Sequence, residues 1–341
     1  MKILFIGDLN KYGRSFQRYR TLGEMGNSVT SISTVPVPYR PGIEKSSIAE
    51  RIMWKLGFPP DTTGANKKIK EAVKNEKFDI VWIEKGVTIK PSALVFIKKS
   101  QPLAKLIFLS EDDMYAKHNR TSYFDKGIKY YDVVFTTKVY NLEELKNIGA
   151  KKTVLFLDAY DEKVHRPMNL SEKEKEEFSA DVSFIGSFEE DRANRVLYLA
   201  EHGVPVVVWG TGWADWIGKN PNLIIKNRML LEDDYARAIS GTKINLCFLR
   251  KINRDEVTSR SVEIPACEGF LLGERTKRHL EFFEEGKEVE FFNSNEEMLK
   301  KTKYYLENGE ERIRMARAGF ERCKNSGYSM RSQLKKIVEI I

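Results

Sequence analysis

The sequence predicts an α/β protein of two similar halves, each a parallel sheet packed between helices. Three observations predict it. Short apolar runs rich in Val, Ile and Phe recur along all 341 residues, and most are continuous, as in strands covered on both faces. The charged segments between them repeat apolar residues three or four apart, which is a helical spacing. The alternation is interrupted once, near the middle. Regular strand–helix alternation implies parallel sheets with right-handed crossovers, and a chain of this length exceeds what one core usually supports.

The strands can be read in order. In the first half they are expected at 3–7, 28–33, 79–84, 105–110, 132–137 and 153–158. In the second they are expected at 181–186, 204–210, 223–226, 243–249, 270–273 and 289–292. Segments such as SFQRYRTLGEMG and TGANKKIKEAVKNEK supply the helices between them. Residues 159–180 hold a dense charge run, one proline and no strand signal, so an interdomain linker is expected there, at 161–180. The domains expected are 1–160 and 181–327. Three helical segments close the chain, and the last, SMRSQLKKIVEII, is amphipathic and long enough for residues 328–341 to cross back to the first domain. Two Rossmann-like halves facing each other would bind ligands beyond the carboxyl ends of their strands, with the cleft between the halves as the default site.

Composition narrows the class. Hydrophobic residues are 41% and charged residues 31% of the chain, as in globular and not disordered proteins. No apolar run approaches the roughly 18–20 residues that span a bilayer. MKILFIGDLN lacks a small-residue cleavage site and reads as a first strand, not a signal peptide. The three cysteines, Cys247, Cys267 and Cys323, form no CxxC pair and suit a reducing, cytoplasmic setting. Residues 1–158 hold 27 Lys and Arg against 17 Asp and Glu, a balance of +10, and the remainder hold 30 against 32. Such an asymmetry concerns partners, not fold. An acidic substrate, an anionic membrane surface and nucleic acid all fit it, as does a generally Lys-rich background. The basic residues are dispersed and carry no recognised nucleic-acid motif, so nucleic acid is not expected as a partner. Lys85, Lys90, Lys98, Lys99 and Lys105 mark a candidate membrane-facing segment, with the chain peripheral to the inner face.

Several loops carry residues suited to chemistry. After the first strand, Tyr12, Gly13 and Arg14 open a helix whose free N–H groups suit an acceptor or a phosphate; an ordinary βα turn is the alternative. The GxGxxG fingerprint is absent, which disfavours a nicotinamide cofactor here. Glu111, Asp112 and Asp113 follow a buried strand, where a carboxylate serves either as general base or as a helix cap. In the second half, Gly186 and Ser187 permit close backbone approach. Arg192 follows at a helix start and Gly210 ends the next strand. Arg228 and Met229 lie in a loop suited to reading a base, and Arg250 ends a strand. Asp255 and Glu263 stand eight apart around Ser259 and Arg260. A helix beginning near Ser261 would put Glu263 in its first turn, placed to accept hydrogen bonds from ribose hydroxyls or simply to cap the helix. Ser259, Arg260 and the helix start would hold phosphates.

FIGSFEEDR, SRSVEIPACEGFLLGERTKRHLEFFEEGKEVEFF and KYYLENGEERIRMARAGFERCKNSGYSMR together resemble the CgeB-type glycosyltransferases, relatives of the family 4 retaining enzymes. The likeness covers about 150 residues, nearly all of the second half. SEDD, DVVFTT and KNIGAKKTVLFLDAYDEKVHRP resemble the same family less strongly. The resemblance implies a GT-B fold, a nucleotide-sugar donor in the C-terminal domain, and a glycan, lipid-linked or protein acceptor, in cell-surface polysaccharide or glycoconjugate synthesis. It implies no metal and no cofactor beyond the donor. Family 4 enzymes carry two glutamates eight apart; Glu263 matches the second, which grips the donor ribose. Asp255 stands at the first position, a departure from the pattern. The family's diphosphate-binding basic pair falls on Arg192 or Arg260. Retention is implied; an inverting enzyme would need Asp112 or Asp113 as base. A nucleotide- or glycan-binding protein with the same fold and weak catalysis is the alternative.

Overall fold

The computed structural model describes residues 1–38 and 47–341. The chain forms two compact units, one comprising Met1–Leu157 with Arg331–Ile341 and the other Asp158–Met330.

The first unit has strands β1 (Lys2–Gly7), β2 (Ser28–Ser33), β3 (Ile80–Glu84), β4 (Lys105–Ser110), β5 (Val133–Thr136) and β6 (Thr153–Leu155). Its helices before the second unit are α1 (Arg14–Glu24), α2 (Ile48–Lys55), α3 (Ala65–Asn75), α4 (Pro91–Ser100), α5 (Ser122–Gly127) and α6 (Asn141–Asn147). The strands pair in parallel in the order β2-β1-β3-β4-β5-β6. Every residue of β3 is buried, as the unbroken apolar run IVWI requires of a strand covered on both faces.

The second unit begins with α7 (Glu172–Phe178), then β7 (Ala180–Ile185), α8 (Glu190–Glu201), β8 (Val206–Trp209), β9 (Leu223–Ile225), α9 (Asp233–Ser240) and β10 (Thr242–Cys247). It continues with α10 (Arg260–Ala266), β11 (Leu271–Glu274), α11 (Lys277–Phe282), β12 (Glu290–Phe292), α12 (Asn295–Glu307) and α13 (Gly309–Asn325). The last helix, α14, spans Met330–Ile340. The second sheet runs β12-β11-β10-β7-β8-β9, also parallel. That is the dinucleotide-fold order, in which the chain reverses direction across the sheet between β7 and β10. In the first sheet the reversal falls between β1 and β3. Beyond the carboxyl ends of these strand pairs lie the crevices that α/β sheets offer to ligands.

Eleven of the twelve strands lie within two residues of their expected bounds, and β6 ends three residues early, at Leu155. The segment expected as a linker belongs to the second unit and carries α7. Ser171 and Glu174 form a reciprocal capping box at its start, and Phe178 is its one buried residue. With a single apolar anchor the helix has no periodicity to read. At the other end, Gln333 Oε1 accepts the Leu157 N–H at 3.2 Å, and Leu334 and Ile337 are buried. The three cysteines are free and buried. No helix among the described residues is long and apolar enough to cross a membrane.

Candidate functional site

In the second unit the crevice between β7 and β10 gathers three arginines. The chain leaves β7 through Gly186 and Ser187 and enters α8, whose first turn carries Arg192. It leaves β10 towards Arg250, and Arg260 opens α10. The Arg192 and Arg260 guanidinium groups lie 5.7 and 5.8 Å from the centroid of one ring, Phe184 of β7. Arg192 is 2% exposed. It meets the Ser187 carbonyl at 3.4 Å and Glu189 at 3.3 Å, while its Nε and Nη2 atoms have no hydrogen-bond partner. The buried Nε of Arg260 has none either. Glu189 is shared with Arg250, at 2.6 Å. Burial, and then the neighbouring charge of Arg260, push the Arg192 guanidinium down to about 10. Buried cationic donors left unpaired beside a like charge are costly; the arrangement suits an anion that would take up these N–H groups.

The backbone around this crevice is close-packed. Gly210 directly follows β8 with φ +142°, and a Cβ there would lie 2.0 Å from the Gly186 oxygen. That same oxygen accepts the Trp213 indole N–H at 2.9 Å. Only glycine meets both demands.

Glu263 stands in the first turn of α10, 6% exposed. Its Oε2 accepts the Tyr235 hydroxyl at 2.8 Å, and its Oε1 faces His165 Nε2 at 3.7 Å. His165 Nδ1 accepts the Asp161 N–H at 2.8 Å, which assigns the ring proton to Nε2. Burial and the Glu263 charge raise the Tyr235 hydroxyl well above its ordinary range, so it remains a donor.

Other expected site residues are placed differently. α10 has seven residues with Pro265 inside, too short to present the dipole a longer helix offers. Ser259 makes no capping bond; Thr258 and Ser261 order this turn instead. Thr258 Oγ1 accepts the Arg260 N–H at 3.1 Å, and Ser261 Oγ accepts the Thr258 N–H at 3.2 Å. Ser261 in turn meets His279 Nε2 at 2.7 Å, and His279 Nδ1 donates to the Glu274 carbonyl at 2.7 Å. Asp255 accepts from the Asn253 amide at 3.2 Å. Arg228 pairs with Glu177 and lies 5.1 Å from the Trp209 ring centroid, and Met229 beside it is exposed.

The first unit has its own cleft, of about 440 Å³, beyond the ends of β1, β3 and β4. Its floor is a buried charge network. Arg18 spans Glu84, at 2.7 and 2.8 Å, and meets Glu111 at 2.7 Å. Arg14 meets Glu111 at 3.0 Å. These arginines hold the Glu111 carboxyl far below the usual range against the opposing effect of burial. Asp112 pairs with Lys85 at 2.5 Å. Tyr12 and Gly13 precede α1, and the Gly13 N–H bonds the Asn10 carbonyl at 2.8 Å. Arg14 is therefore engaged with Glu111. Asp113, expected as a candidate base, is fully buried. It accepts the Asn141 amide at 2.9 Å and the Tyr115 and Ala116 N–H groups, so it caps a turn and does not line the cleft. Of the lysines expected to face a membrane, Lys85 and Lys98 are tied to Asp112 and Asp132.

Arg18, Glu84, His165 and Tyr235 were not singled out from the sequence. Arg18 follows Arg14 by one helical turn, a spacing that marks a shared face; the others leave no such signal.

Residues 192–339 match the family model described as glycosyl transferase-like. No curated protein matches the sequence. Among solved structures the chain is similar to HepE of Anabaena in complex with UDP and glucose, at 10% identity and TM-score 0.65, over 100% of this chain and 99% of that one. It is similar to sucrose-phosphate synthase of Thermosynechococcus elongatus, at 10% identity and TM-score 0.66, over 100% and 98%. An alpha-glucosyltransferase in complex with UDP-glucose and DNA containing an abasic site gives 14% identity and TM-score 0.66, over 100% and 99%. The fold, two six-stranded parallel sheets with flanking helices, is that of the GT-B glycosyltransferases.

Proposed function

We propose that this chain is a glycosyltransferase that takes a sugar from a nucleoside-diphosphate donor held by the second unit. The observation that carries this reading is the pair Arg192 and Arg260, stacked over Phe184 with guanidinium nitrogens unpartnered. A diphosphate supplies the missing acceptors. Gly186 and Gly210 let the backbone approach it, and Arg250 extends the cationic wall. Glu263, braced by Tyr235 and His165, would take the ribose hydroxyls, and the loop at Arg228 and Met229 would border the base. Because two of the similar structures hold UDP or UDP-glucose, uridine is our first choice of base.

In the reaction the bond between the anomeric carbon and the diphosphate oxygen breaks, and its electron pair stays on that oxygen. The acceptor oxygen forms the new bond. Cations oppose the growing charge most strongly where water is excluded, so the buried Arg192 and the half-buried Arg260 would take the role that a divalent ion has in other transferases. We place the enzyme in the retaining class, with the acceptor proton passing to the departing diphosphate. Of the two candidate bases, Asp112 is engaged by Lys85 and Asp113 is sealed in a turn, while Glu111 beside them is held ionised by two arginines. The acceptor would sit in the first unit's cleft. Resemblance to the CgeB-type family supports a product in glycoconjugate or cell-surface polysaccharide synthesis.

Thermal unfolding with UDP, GDP, ADP, dTDP and CMP tests the donor site. At 100 times its dissociation constant, a nucleotide adds about 2.7 kcal/mol, a shift of a few degrees. One nucleotide should stabilise the parent but not the Arg192→Met, Arg260→Met or Glu263→Ala variants. Without ligand, Arg192→Met should cost little stability, since it removes buried donors that lack partners and Glu189 keeps its pairing with Arg250. If no nucleotide stabilises the parent, the donor site is wrong. Stabilisation without turnover of any donor sugar would favour the binding-protein reading.

A further inference from the structure

Helix α2 buries none of its residues. Ile48, Ile52 and Leu56 follow at four-residue steps, with Ala49 and Met53 beside them, so they make one stripe. That stripe is open to solvent: Ile48 is 76%, Ile52 51%, Met53 39% and Leu56 65% exposed. Arg51 and Lys55 border it. The helix's one acidic side chain, Glu50, is tied to the Ser47 N–H at 2.7 Å. An eight-residue helix is marginal by itself, and this one is held at its ends. Ser47 and Glu50 form its capping box. Past its other end, the Gly57 carbonyl accepts the Ser122 N–H at 2.8 Å, and the Phe58 ring meets Tyr123 at 5.5 Å. Trp54 projects from the side opposite the stripe and lines the first unit's cleft.

We infer that α2 is a membrane-docking element, whose apolar stripe enters the interface of a bilayer carrying anionic lipids. Arg51 and Lys55 then lie at the level of the headgroups, as basic residues do on interfacial helices. The +10 balance of residues 1–158 adds attraction to such a surface. A second copy of the chain fits less well, because a two-fold contact sets Arg51 and Lys55 against their own equivalents. Since Trp54 walls the cleft from the same helix, docking brings the cleft to the lipid boundary. The acceptor is then a polar head carried on a lipid; this last step rests on the transferase reading.

The test is sedimentation of the full chain with vesicles of phosphatidylcholine, alone or mixed with phosphatidylglycerol. The parent should bind the mixed vesicles, more weakly as salt rises. Ile52→Asp with Leu56→Asp should lower the bound fraction by about tenfold or more. Arg51→Ala with Lys55→Ala should abolish the preference for the anionic mixture. Nucleotide-induced stabilisation, measured in parallel, should be the same in all forms and shows that the variants fold. A parent that ignores both vesicle types, or an Asp variant that binds like the parent, overturns the inference. So does a concentration-dependent dimer that the Asp variant loses, which would make a second copy the occupant. Vesicle binding without any nucleotide effect would sink the transferase reading and leave α2 as a docking element.

Discussion

His279 shows how far a single side chain can reach from beneath a site. It is fully buried, its ring lies parallel to Phe291 at 5.0 Å, and it has one hydrogen-bond partner at each nitrogen. The Glu274 carbonyl can only accept, so Nδ1 carries the proton and Nε2 accepts from Ser261. Through Ser261 and Thr258 this ring orders the turn from which Arg260 and Glu263 project. Burial lowers the imidazole from 6.5 to about 4, partly offset by the Glu274 carbonyl. The unfolded chain therefore binds the proton more readily than the folded one. This contribution to stability is complete above pH 6.5 and is lost as pH falls towards 4, by about 3 kcal/mol. Urea unfolding at neutral pH and near pH 4 should show that loss in the parent, and His279→Gln should flatten it by about that amount. Equal slopes in the two proteins would refute the assignment. Nothing in TKRHLEFF marks this histidine: it is one residue in a short helix, and its importance comes from Ser261, eighteen positions away.

At the scale of elements, the glycine at the end of β8 is where two loops meet. Gly210 combines φ +142° with direct contact on the Gly186 oxygen, and its own N–H bonds the Arg228 carbonyl at 2.8 Å. Gly210→Ala should cost about 3 kcal/mol or more in denaturant unfolding and should weaken nucleotide binding with it. Gly203→Ala, where a Cβ would meet nothing within 4 Å but φ is also positive, should cost about 1 kcal/mol. Similar losses at both positions would mean that the loop contact matters little. The two elements also differ in how legible they were. Strands read from VPVVVWG and DVSFIG are found because continuous apolar runs report burial on both faces directly. Helices α2 and α7 have few buried residues, so the helical spacing that betrays the others is weak or points outward. α7 rests on its capping box, and α2 on its ends.

Taken whole, the chain returns at its end to the unit in which it began. Arg331–Ile341 belong with Met1–Leu157, through Leu334, Ile337 and the bond from Leu157 to Gln333. Ending the chain after Met330 removes two fully buried aliphatic side chains, worth roughly 3–6 kcal/mol, from the first unit alone. Unfolding followed separately in each unit, for instance by hydrogen exchange, should show β1 and β6 losing protection while β7 and β10 keep theirs. Loss of protection in both sheets to the same degree would mean that the units do not hold their stability separately.

The sequence alone was enough to read the two parallel sheets, their strands and the glycine-rich turns. These depend on local composition and on burial patterns that repeat every few residues. It also determined which segments carry arginines and carboxylates. What those charges do follows from the folded chain. Arg14 and Arg192 both open helices after a first strand and look alike in one dimension. One finds Glu111, ninety-seven positions away, and the other finds Arg260 across a shared phenylalanine ring. Whether a buried arginine is neutralised or left to meet an anion depends on neighbours brought in by chain crossovers, and separation along the chain leaves no trace of them. The same holds for α2. Its amphipathic pattern is written in the sequence, but that its apolar stripe faces solvent follows from where the rest of the unit packs.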